Sequence, residues 1–267
     1  MSTRKQHTAT LARTVLAIAL LSAGSSAHDF WIAPETFKPS PGSLLGVHLR
    51  VGEDGRGEEV QRDEARIRRF VAVSANGEKP LVGVDGSTPA GRVRLGDAGV
   101  VTLGYHSTPR ELVLPAEKFE SYLREEGLEA VLAERARLGE QAREGREHYE
   151  RSSKSLVGVG GADGLGATLG LPYEFVVLGV SGGELELELR FEGRPMADTA
   201  VHFQSLAVEP ESSAPPLAAT VHRTDANGRV RAPAEGRWLI TSVHMQRAEP
   251  DSGADWHSWW GSLTYER

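Results

Sequence analysis

The chain has 267 residues, 39% hydrophobic and 25% charged, with a formal net charge of −7 and no cysteine. That length supports one large or two modest domains with a real core. The missing cysteines exclude disulfides, thiolate metal sites, a lipidated cysteine anchor and a cysteine nucleophile. The acidic balance makes nucleic acid a poor partner.

The first 27 residues differ from the rest. Arg4, Lys5 and Arg13 form a positive region, Thr14 to Ala23 (TVLAIALLSA) is an apolar core too short to span a bilayer, and Gly24-Ser25-Ser26-Ala27 is a small-residue end. This anatomy predicts a secretory signal peptide over residues 1–27 and a mature chain in the bacterial periplasm or outside the cell. Ser25 and Ala27 favour cleavage before His28.

Strands and turns follow. Leu45 to Val51 (LGVHLRV), Arg66 to Ser74 (RIRRFVAVS), Gly99 to His106 (GVVTLGYH) and Glu111 to Leu114 read as strands. From Pro115 the composition turns to Glu, Arg, Ala and Leu, predicting a helical segment near 115–150 that Gly127 divides in two. Lys154 to Val159 returns to strand. The following GVGGADGLG has no P-loop lysine and reads as a connector. Glu184 to Phe191 (ELELELRF) alternates strictly, and Thr199 to Ala207, Gly236 to Gln246 and Ser262 to Glu266 are further strands. Val221 to Val230 reads as a strand entering an Asn-Gly hairpin. The expected fold is mainly β: a β-rich domain over residues 28–180 carrying the helical insertion, and an immunoglobulin-like sandwich over 181–267.

Taken together, AHDFWIAP, PAEKFESYLREEGLEAVLAERARLGE, LGLPYEFV, TDANGR, GRWLITSVHM and ADWHSWWGSLTYE, in this order, resemble a bacterial periplasmic family of unknown function related to NikM-like nickel-uptake components. The resemblance implies an exported, β-rich protein tied to transition-metal uptake. It also implies a metal site at the amino terminus with His28, and a membrane metal transporter or outer-membrane receptor as partner. Those nickel-uptake components keep this terminus attached to a membrane span, which this sequence does not show after its signal.

The residues themselves permit such a site. A free α-amine, a backbone amide and an imidazole form a nitrogen-rich chelate suited to Cu(II) or Ni(II). Cleavage before His28, Ala27 or Ser26 each yields a chelate of different geometry. Strand parity turns His48 and His202 towards solvent, with His106 and His222 at the surface or an edge. It puts His244 on the face of Trp238 and Ile240, making it the second candidate ligand. Asp255 is the third, in the stretch DSGADWHSWWGS. The expected cargo is thus Ni, Co or Cu on His28, His244 and Asp255, with no organic cofactor. No GxSxG, HExxH or His-x-His pattern occurs, so no enzyme is predicted. The alternatives are a copper histidine-brace oxidative enzyme, and a metal-free carbohydrate-binding sandwich using Trp256, Trp259 and Trp260.

Overall fold

The structure, a computed structural model, describes residues 28–206 and 219–267, so the predicted signal peptide lies outside the described residues. These residues form β1 (Asp29–Pro34), β2 (Leu44–Glu53), β3 (Arg56–Val60), β4 (Ile67–Ser74), β5 (Gly77–Pro80), β6 (Gly91–Arg94), β7 (Gly99–Ser107) and β8 (Arg110–Leu114). Two helices follow, α1 (Ala116–Glu125) and α2 (Glu129–Leu138), then β9 (Gly145–Val159), β10 (Tyr173–Ser181), β11 (Glu184–Phe191), β12 (Arg194–Pro195) and β13 (Ala200–Ser205). The chain ends with β14 (Thr220–Arg223), β15 (Arg229–Pro233), β16 (Arg237–Arg247) and β17 (Trp256–Glu266). Strand makes up 54% of the structure, which settles the class as mainly β.

Three sheets stack in layers. The middle layer has nine strands in the order β14-β13-β16-β17-β9-β7-β4-β5, with β8 also on β9. Its β17–β9 pair is parallel and its other pairs are antiparallel. One face carries the sheet of β1, β2, β3 and β6 through a core that includes Ile32, Val47, Leu103 and Val157. The helices share that face, where Phe119, Tyr122 and Leu123 meet Met245, Trp256 and Trp260. The opposite face carries the sheet of β10, β11, β12 and β15 through Tyr173, Phe175, Ile240 and Leu263. Along ELELELRF, Leu185, Leu187 and Leu189 have 0% exposure, as the alternation predicts.

Three expectations are corrected. The helical segment ends at Leu138, where Gly139 takes the left-handed conformation (φ 68°), and GREHYE begins a central strand. The Asn-Gly turn does not close a hairpin: β14 pairs with β13 in the middle layer, whereas β15 pairs with β11 in the outer sheet. The turn, organised by the Asp225 carboxylate accepting from the Asn227 and Arg229 amides, carries the chain between layers. Finally, the boundary drawn at residue 180 falls within the β10–β11 hairpin, and the nine-stranded sheet joins strands from both sides of it.

The seam between β1 and the middle layer positions the His28–Asp29 segment. β1 pairs with β2 on one edge only and turns its other edge onto the middle sheet. The Ile32 amide donates to Ser153 Oγ at 3.1 Å, and Thr264 Oγ1 donates to the Ile32 carbonyl at 2.8 Å. Ser153 Oγ is tied in turn to Ser262 Oγ at 2.6 Å. Ser155 Oγ, also buried, has no hydrogen-bond partner. Ser153→Ala therefore strands a buried amide and should lower stability by about 1–3 kcal/mol, while Ser155→Ala should be neutral or stabilising. Urea unfolding of the two variants against the parent protein checks this.

Candidate functional site

Docking of β1 brings Asp29 against Thr241 of β16. The Asp29 carboxyl is pushed up to about 6, chiefly by burial, against the hydrogen bond from Thr241 and the Arg151 charge, with Glu53 and Asp54 adding to the rise. Its neighbour His28 places Nδ1 2.9 Å from Glu53 Oε1, and its carbonyl accepts from Arg151 at 3.0 Å.

Directly across from Thr241 on the next strand is His202. Cross-strand partners share a face, so His202 lies on the side where Asp29 docks. Its Nε2 is 3.8 Å from Glu126 Oε2, at the turn between the helices, and is buried without a hydrogen bond. Burial lowers the His202 pKa, leaving a neutral imidazole at pH 7. Glu126 is raised well above the usual carboxylate range, first by burial and then by Asp29, Glu125 and Glu147. The result is a cluster of buried acidic side chains and one neutral imidazole near the His28–Asp29 segment. Buried carboxylates that resist ionisation together are stabilised by a cation.

The predicted ligands do not all gather here. His244 shares the face of Trp238 and Ile240, as parity predicts, but that is the opposite face from Thr241 and Asp29. Its ring, half-buried, packs 4.5 Å from Phe191 and 5.9 Å from Trp259, and burial lowers its pKa. Asp255 sits before β17, its amide bonded to the Arg146 carbonyl and its carbonyl to the Ala248 amide. Trp256 aligns with Arg247, whereas Thr241 aligns with Ser262. Asp255 is thus about 20 Å along the strands from the Asp29 seam. Among the described residues, no three His, Asp or Glu side chains are grouped so as to hold a metal ion.

His202 and His106 were misjudged by parity for one reason. Each does point away from its apolar neighbours, but in a middle layer the other face is also covered. His106 is 8% exposed, with Nε2 2.8 Å from Glu150 Oε2, and His257 Nε2 is 3.2 Å from Glu150 Oε1. Burial favours the neutral form of Glu150, but hydrogen bonds from His106 and His257 and the Arg68 charge outweigh it and hold the pKa at about 2. The tryptophans offered as a glycan platform are 1% (Trp256), 9% (Trp259) and 6% (Trp260) exposed, and form core instead.

The family profile described as a domain of unknown function, DUF4198, matches residues 25–246. The chain belongs to this family. The match takes in the His28 segment, Glu126, His202 and all but the last strand of the middle layer. Neither the curated proteins nor the solved structures contain a match.

In this DUF4198 domain Glu147, whose charge acts on Glu126, has 0% exposure. Burial pushes its pKa up to about 7, against hydrogen bonds from Ser258, Trp260 and Tyr122 and the Arg151 charge. The folded state therefore keeps this proton to about pH 7, while the unfolded chain loses it near 4.5, the ordinary glutamate value. The stability it contributes is full below pH 4.5 and is lost as pH rises to 7. Glu147→Gln should remove that slope, gaining on the parent by at most about 3 kcal/mol between acidic and mildly alkaline pH. Denaturant unfolding at pH about 5 and about 8 measures the difference.

Proposed function

We propose that this is an exported bacterial periplasmic protein that binds a nickel, cobalt or copper ion as cargo and assists its uptake or delivery. The site is built on the mature amino terminus. The observation that carries this reading is the neutral His202 imidazole, its Nε2 buried without a hydrogen bond, on the sheet face where the His28–Asp29 segment docks. Cleavage at or next to His28 supplies the amine and the His28 imidazole, a nitrogen-rich start suited to Ni(II) and Cu(II). Asp29 and Glu126 supply negative charge around the cation. The resemblance to NikM-like components supports the same reading, with a membrane metal transporter or an outer-membrane receptor as the receiving partner. Among the described residues no helix is long and apolar enough to cross a membrane.

Intact-mass and native mass spectrometry of the exported protein, with Ni(II) or Cu(II) added, test the proposal. The expected chain begins at residue 26, 27 or 28 and takes up one metal ion. His28→Ala should weaken binding at least ~10-fold, about 1.4 kcal/mol, and His202→Ala should weaken it less. His244→Ala, on the far face, should leave it unchanged. A start elsewhere, or binding indifferent to His28, refutes the site.

A further inference from the structure

On the Phe30 side of β1, away from the buried acidic cluster at Asp29, is a cavity of opposite sign. It measures about 260 Å³ and is lined by Phe30, Tyr105, Tyr149 and the side chains of Arg66, Arg110 and Arg151. Arg66 donates only a long 3.4 Å bond to the Pro109 carbonyl, and Arg151 donates to the His28 carbonyl. Among the described residues, none of the three guanidiniums has a carboxylate oxygen within ion-pair distance. Asp63 is on the same rim, its Oδ1 accepting from the Ala65 amide, so three guanidiniums line the cavity with one carboxylate. Burial and the nearby Arg110 both lower the Arg66 pKa, the signature of cations crowded together.

The cavity is also held in shape. The Arg151 guanidinium lies 5.1 Å from the Phe30 ring centre, 5.3 Å from Tyr149 and 5.6 Å from Trp260, so aromatic faces fix it from several sides. Burial pushes the Tyr105 hydroxyl up to about 12, which keeps it a hydrogen-bond donor. Leu49, Val51 and Val60 complete an apolar wall. Guanidiniums in this setting recognise carboxylate or phosphate through forked hydrogen bonds. The volume is below the roughly 300–1,000 Å³ of sites for drug-sized ligands, which limits the ligand to a small molecule.

We propose that this cavity binds a small organic dianion, a dicarboxylate or a phosphate monoester. Arg66, Arg110 and Arg151 hold its charged groups, and its carbon body lies against Phe30, Tyr105 and Leu49. The site repels a free cation, so it is distinct from the amino-terminal metal site and does not depend on it.

Calorimetric titration of the exported protein at low salt with succinate, glycerol 3-phosphate and acetate tests this. Saturable one-site binding of succinate or glycerol 3-phosphate is expected, with acetate at least ~10-fold weaker. Binding of one and not the other tells carboxylate from phosphate. Arg110→Gln, at an exposed position, should melt no lower than the parent without ligand, yet bind at least ~10-fold more weakly. Arg137→Gln, exposed on α2, should bind like the parent. His28→Ala should also retain dianion binding, which separates this site from the metal reading. Absence of binding by both dianions, or unchanged binding in Arg110→Gln, overturns the proposal.

Discussion

The open edge of β1 is buried, and most of this molecule's organisation follows from where its polar groups go. A strand edge turned onto an apolar sheet face would leave amides and carbonyls without partners, at a cost comparable to lost hydrogen bonds. Here the sheet answers with hydroxyls in place of methyls: Ser153 and Thr264 bond both polar groups of Ile32, and Ser262 braces Ser153. This contact fixes β1 across the middle layer, and with it the position and direction of the segment starting at His28.

The same economy runs along β9, a central strand with an unusually polar sequence. Lys154 is 1% exposed, yet its ammonium reaches Glu174 at 2.8 Å and two backbone carbonyls. Glu174 then accepts the amides of Leu169, Gly170 and Leu171, fastening the glycine-rich connector over the sheet. Glu150 is satisfied by His106, His257 and Arg68. Each buried charge is thus paired or hydrogen-bonded, the condition under which burial is tolerable. A strand built this way contributes specificity of register as well as stability, because a one-residue slip would separate every partner.

Two regions of opposite sign meet at Arg151. Its guanidinium bonds the His28 carbonyl and its charge acts on Asp29, in the buried acidic cluster, while the same residue lines the arginine-rich cavity. The chain is acidic overall, so its total charge gives no hint of the cavity. The local excess arises because strands from β1 to β9 bring together arginines far apart in sequence.

The strand-rich class, the helix start after Pro115, the break at Gly127 and the inward face of ELELELRF were legible in the sequence. Each rests on local periodicity or on a residue whose backbone preference acts over a few positions. Parity also told correctly which face of its strand His244 occupies. What it could not tell was what covers each face. His202 and His106 point away from Val201 and Tyr105, and only the stacking of a second sheet and the helices makes that direction an interior one. The polar run EHYERSSKS, whose first residues the sequence places in the helical segment, is a central strand because of distant partners, Glu174, Ser262 and the β1 edge. Membership of the sheets, the failure of Asp255 and His244 to join His28, and the convergence of Arg66, Arg110 and Arg151 all depend on contacts remote in sequence. Local pattern sets the direction of a side chain, and tertiary packing decides what stands in its way.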